Sequence, residues 1–252
     1  MTYKSESELK KMREAAEIAA IAMQKVIEAV RPGITTKRLD KIAYDYIISR
    51  GAQPNFLNYN GFPGTICASV NEEIVHGFPS ERKLHEGDII SVDMGAVIHG
   101  YHSDMARTIP VGEIAPEVEE LIKVTRQSFF EGIKNAVPGN HVVDISRGIE
   151  EYVRPYGFGI VRELVGHGVG QSLHEPPDVP NYVTKRRGPK LHEGMTLAVE
   201  PMITLGKPTV VVRNVGWTYC TKDGKPAAHY ENTIAINSHG EPEILTLLEG
   251  ME

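Results

Sequence analysis

The stretch LHEGDIISVD (residues 84–93) returns 107 positions later as LHEGMTLAVE (191–200), and each copy ends in a carboxylate, Asp93 in the first and Glu200 in the second. Upstream, an offset of 106 pairs Pro32 with Pro138, Leu39 with Ile145, Tyr46 with Tyr152 and Gly51 with Gly157. The chain is therefore read as a tandem duplication, residues 1–112 and 113–252, of one unit.

Each copy has the same order of elements. Ser5 and Glu8 form a capping-box pattern, and Leu9, Met12, Ala16, Ala19, Met23, Val26 and Ile27 follow at helical spacing. Pro32-Gly33 ends that helix, and a second with Leu39, Ile42, Ala43, Tyr46 and Ile47 on one face runs to Arg50-Gly51. Pro116 opens the equivalent helix of the second half, and Ile145, Ile149, Tyr152 and Val153 mark its partner. Strands come next: IISVDMGAVI turning through Gly100 into HSDMARTI, and later TLAVEPMI, TVVVRN and ENTIAIN. Helix pairs followed by strand runs predict an α+β domain with helices on one face of a sheet. Two such halves would meet along their sheets, with a cleft lined by equivalent strands. No long linker separates them, so residues 1–252 are expected to form one domain.

Composition bounds the function. The 252 residues are 41% hydrophobic, enough for a substantial core, and no apolar run approaches the ~20 residues of a membrane span. The opening MTYKSESELKK lacks the apolar centre of a secretory signal, and two cysteines, Cys67 and Cys220, fit a reducing compartment. The cytoplasm is the expected location. With 27 basic and 33 acidic residues, a net charge of −6, specific nucleic-acid binding is not expected.

The chemistry is in the acids. Asp93 and Glu200 close strands of Ile, Val, Leu and Ala that read as buried, and an unpaired buried carboxylate costs several kcal/mol or becomes neutral. Asp104 in YHSDMARTI and Glu231 in HYENTIAI sit in similar strands, and the 11-residue step from Asp93 to Asp104 suits a hairpin return. An arginine can compensate one such acid within a structural salt-bridge network. Four need more positive charge, which metal ions supply most compactly; oxygen ligands with one imidazole suit Mn²⁺, Fe²⁺, Co²⁺ or Zn²⁺. The imidazole candidate is His167, whose flanking Gly166 and Gly168 allow close backbone approach. GHGVGQ lacks the GxGxxG spacing of a dinucleotide loop. His76 and His174 are further candidates for catalysis, whereas His85, His99, His141 and His192 read as turn or surface residues.

NEEIVHGFP (71–79), VDMGAVIHGYHSDMARTI (92–109), GHGVGQSLHEPP (166–177), LAVEPMI (197–203) and ENTIAI (231–236) together resemble type I methionine aminopeptidase, in that order and over nearly the whole chain. That resemblance implies the pita-bread fold, two pseudo-symmetric halves with helices covering a curved antiparallel sheet around a metal cleft. It implies two divalent ions (Co, Mn, Fe, Zn or Ni), with Asp104 and Glu231 bridging, Asp93 completing one site, and His167 and Glu200 the other. It also implies catalytic roles for His76, His174 and Glu200, attack by a metal-activated water, and a methionine pocket around Tyr59, Phe62, Cys67, His76, Leu173, His174 and Trp217, with Phe56 nearby. Phe56, Asn60, Phe62 and Leu173 stand where some bacterial relatives have Cys, His, Tyr and Phe. The implied substrates are N-terminal methionine peptides and nascent chains with a small second residue, cleaved by a monomer. The basic run VTKRRGPK (183–190) is a candidate ribosome contact, with a solvated loop as the plainer reading. The rivals are an Xaa-Pro aminopeptidase, for which the chain is short, and a metal-free binding protein, against which five retained ligand positions argue.

Overall fold

A computed structural model describes residues 2–214 and 216–248. Helix α1 (Glu6–Ala29) begins where expected: the Glu8 carboxylate accepts the Ser5 backbone N–H at 2.8 Å and the Ser5 hydroxyl at 2.7 Å. Met12, Ala16, Ala19, Met23 and Val26 are buried, but Ile27, expected on the same stripe, is 37% exposed in the last turn. α2 (Thr36–Ser49) is capped by the Thr35 hydroxyl, which accepts from Arg38 N–H. α3 (Pro116–Ile133) opens on Pro116, as expected, and ends five residues before Pro138. α4 (Val142–Val153) starts from His141, whose N–H is accepted by Asp144 at 2.8 Å.

The strands form a central sheet across both halves. In spatial order its main path is Glu175–Val179, Gly166–Gly168, Thr196–Val199, Glu231–Ala235, Met105–Pro110, Ile89–Met94 and Ile66–Val70, all antiparallel, with Glu243–Ile244 beside Glu231–Ala235. The duplication is visible in that order. Ile89–Met94 and Thr196–Val199 occupy equivalent places on either side of the central pair formed by Met105–Pro110 and Glu231–Ala235.

Alternation along each strand separates two faces. Ile90, Val92 and Met94 join α1 and α2 in one apolar core, while Leu197, Val199 and Ile234 join α3 and α4 in another. Helices thus cover one face, each half has its own core, and residues of opposite parity are left to line the cleft. Among the described residues no helix is long and apolar enough to cross a membrane.

Candidate metal centre

Strand register builds the acidic cluster. Asp93 pairs across the sheet with Cys67 on one side and Ala106 on the other, and Ala106 pairs in turn with Glu231. Directly opposed residues point to the same face, so Cys67, Asp93 and Glu231 project together, with the small Ala106 leaving room between the two acids. Asp104 lies two positions before Ala106 and is clamped to the neighbouring strand: its N–H donates to the Thr233 hydroxyl, and its carbonyl accepts from the Thr233 N–H and hydroxyl. His167 pairs with Ala198, two positions before Glu200. Strand Thr196–Val199 ends at Val199, paired with Asn232, which brings Glu200 beside Glu231, and the Asn181 amide holds the Glu200 carbonyl at 2.9 Å. The five residues expected to hold metal are therefore gathered on one face.

Their surroundings require compensation. Asp93, Asp104, His167 and Glu231 are buried, and the Glu200 side chain is 12% exposed. Among the described residues none of these carboxylates is ion-paired to lysine or arginine; their charged-type neighbours are histidines. Arg107, the nearest buried guanidinium, is spent on the Glu231 carbonyl and Asn232 Oδ1 and lies over the Tyr230 ring. Asp93 Oδ1, Asp104 Oδ1 and Glu231 Oε1 have no hydrogen-bond partner. Burial, reinforced by the charge of Glu200, raises the Asp93 pKa to about 7, and burial pushes Asp104, Glu200 and Glu231 well above the usual carboxylate range. Burial acts oppositely on the imidazoles, holding His76 and His167 near 4, unprotonated at neutral pH.

The donors fall into two groups sharing one residue. Asp93, His229 and Glu231 each place one donor atom within 4.8 Å of the others, and so do Asp104, His167 and Glu231. His167 Nε2 is 3.6 Å from Glu200 Oε1 and 3.7 Å from Asp104 Oδ2, while its Nδ1 lies 2.8 Å from the Gly168 carbonyl, which fixes Nε2 as the free nitrogen. Oxygen-rich clusters with imidazole, buried and uncompensated, fit divalent cations by donor type and by the stranded acid oxygens. His229 was not singled out from the sequence. Its spacing of two from Glu231 along an extended segment is a signal that could have found it.

A cavity of about 250 Å³ opens onto the acids. Tyr59, Phe62, Cys67, His76, His174 and Trp217 all line it, together with Phe56, Asn60 and Leu173. Phe56, Phe62, Cys67 and Leu173 are buried as an apolar cluster of their own, with Phe78 and Trp217 packed on it; the part played by Phe78 is visible only in three dimensions. The Cys67 thiol is held protonated by burial and the nearby acids, making it a wall of the pocket rather than a nucleophile. His76 sits in the left-handed backbone region at φ 59°, a strain that functional sites retain, with its ring against Trp217 and Tyr219. His174 stands at the rim, its ring 4.1 Å from that of His167.

Comparisons with known proteins bear on the family and the fold. Residues 10–238 match the model of Metallopeptidase family M24. The chain is 52% identical over 247 residues to the methionine aminopeptidase of Clostridium acetobutylicum, covering 98% of both chains. The crystal structure of methionine aminopeptidase from Thermotoga maritima superposes with a TM-score of 0.95 at 42% identity, over 98% of this chain and 100% of that one. The Xaa-Pro dipeptidase from Bacillus anthracis gives a TM-score of 0.80 at 25% identity, and only 62% of its length is covered. The fold is the pita-bread fold of these enzymes, and the chain belongs to metallopeptidase family M24.

Proposed function

We propose that this protein is a methionyl aminopeptidase, one catalytic domain that removes the N-terminal methionine from peptides and nascent chains whose second residue is small. The observation that carries the reading is the pair of donor groups sharing Glu231, of which Asp93, Asp104, His167 and Glu231 open onto a cavity with an aromatic wall. In this reading Asp93, Asp104, His167, Glu200 and Glu231 would hold two divalent ions of the Mn, Fe, Co, Zn or Ni kind, with Asp104 and Glu231 shared between the two positions, Asp93 serving one and His167 and Glu200 the other. Bound cations of this kind supply Lewis acidity and bring the pKa of a coordinated water towards ~7.

The protein's own groups do the rest. Glu200 accepts a proton during attack and returns it to the leaving amine. His76 and His174 face the scissile carbonyl as neutral imidazoles, each able to donate an N–H to the developing oxyanion. Tyr59, Phe62, Cys67 and Trp217 enclose an unbranched thioether, whose flexible chain and polarisable sulfur pack against aromatic edges.

Cleavage of Met-Ala-Ser, Met-Phe-Ser, Lys-Ala-Ser and Ala-Pro-Ser under identical metal loading tests the proposal. Met-Ala-Ser is expected to be fastest. Fastest cleavage of Ala-Pro-Ser would make the protein an Xaa-Pro peptidase instead, and equal cleavage of all four would remove the pocket assignment. Reloading metal-stripped protein with single metals then ranks the ions.

A further inference from the structure

His229 is buried beside the acids, its side chain 1% exposed, and neither ring nitrogen has a hydrogen-bond partner. A neutral imidazole carries one donor and one acceptor nitrogen, and leaving such groups buried and unpaired is destabilising. Nε2 lies 3.6 Å from Glu200 Oε2 and 3.7 Å from Glu231 Oε2, too far for hydrogen bonds of ordinary length. His167 stands to its own two acids at the same separations, 3.6 and 3.7 Å. Donors held ~2.0–2.2 Å from a shared cation lie roughly 3–4 Å apart, so His229 Nε2 and Glu231 Oε2 have the spacing of co-ligands, and Asp93 offers a donor within 4.8 Å of both residues' donor atoms.

The backbone holds His229 in place. Its N–H donates to the Thr108 hydroxyl at 2.8 Å, that hydroxyl donates back to its carbonyl at 2.9 Å, and its strand pairs it with Met202. The side chain is thereby held at the Asp93 and Glu231 end of the cluster. Nδ1 is unpartnered whichever role Nε2 takes, so it does not discriminate between them.

We propose that His229 is a sixth protein ligand, the nitrogen donor of the Asp93–Glu231 site, so that each of the two metal positions holds one imidazole. This rests on the metal-centre reading above and deepens it. A nitrogen at an otherwise all-oxygen position shifts preference away from Mg²⁺ and Ca²⁺ and towards Fe²⁺, Co²⁺, Ni²⁺ and Zn²⁺. The competing assignment is a hydrogen-bonding histidine that only orients Glu200 and Glu231.

Pulsed electron paramagnetic resonance of the Mn²⁺-loaded protein counts coordinated imidazole nitrogens, and calorimetric titration of stripped protein gives the stepwise affinities. Two imidazole couplings are expected in the unmodified protein and one in either His229→Ala or His167→Ala. His229→Ala should also weaken one of the two binding steps by more than about tenfold. His229→Gln keeps hydrogen-bonding capacity but is a poor ligand, so it should behave like the alanine variant. A single imidazole coupling in the unmodified protein overturns the proposal without any variant needing to fold. Full affinity restored by glutamine would do the same in favour of the orienting role. No metal uptake at all would remove the metal-centre reading itself, an outcome distinct from uptake with one imidazole.

Discussion

The phenolic oxygen of Tyr59 lies 2.9 Å from Nδ1 of His174, and the two rings stack 5.3 Å apart. A phenol that donates to Nδ1 leaves the imidazole proton on Nε2, so Tyr59 selects the tautomer that offers an N–H to an oxyanion. His174→Ala should reduce kcat by roughly 10²- to 10⁴-fold while metal content holds. Tyr59→Phe removes one hydrogen bond, worth about 1 kcal/mol, and should reduce kcat roughly fivefold. Metal loss from either variant would move His174 into the ligand set.

Asp104→Asn keeps the shape of the side chain and removes its charge. Metal affinity is expected to fall by more than about tenfold with the circular dichroism spectrum unchanged, because both apolar cores lie on the other face of the sheet. Unaltered stoichiometry and affinity would show that Asp104 is not a ligand.

Metal uptake should release protons in a pH-dependent way. The Asp93 carboxyl titrates near 7, and Asp104, Glu200 and Glu231 are raised well above their usual range, so the metal-free fold retains protons that a cation must displace. The sign follows: apparent affinity climbs as pH rises through about 7. His167 and His229, held near 4 by burial, are already unprotonated at pH ~6 and contribute little to the release. Calorimetry in buffers of different ionisation heat should give more protons released near pH ~6 than near pH ~8; equal release would contradict the carboxyl assignment.

Residues just ahead of α1 brace the segment that carries His174. Lys4 Nζ lies 2.7 Å from Glu175 Oε2 with side chains only 5% and 13% exposed, and the Thr2 hydroxyl donates to the same carboxylate. Lys4→Met strands the Glu175 charge and is expected to cost about 3 kcal/mol of stability. Because the loss falls next to His174, kcat should drop as well. A melting temperature unchanged from the parent would show that the pair is inconsequential.

Lys185, Arg186 and Arg187 stand exposed on the loop leading into the strand pairing of Lys190 with His141. If this run contacts ribosomal RNA, reversing the three charges should abolish salt-sensitive co-sedimentation with ribosomes and leave tripeptide hydrolysis intact. Co-sedimentation unaffected by the reversal would leave the run as a solvated loop.

The sequence by itself determined the duplication, the order of helices and strands, and the identity of five acid and imidazole candidates. These signals are local or repeated: a capping box, an apolar strand closed by a carboxylate, a histidine between glycines. It placed Ile27 on a buried stripe because periodicity alone does not say where a core ends, and the structure turns that residue outward. Only tertiary structure decided which residues meet. Asp93 and Glu231 are neighbours because each pairs with Ala106, and Tyr59 reaches His174 across 115 positions. Alternation along a strand tells which side chains share a face, whereas the partners of that face are fixed by register between distant strands, which no local pattern encodes. His229 is the clearest case: its chain position gives a face, and only the fold sets its nitrogen beside Glu200 and Glu231.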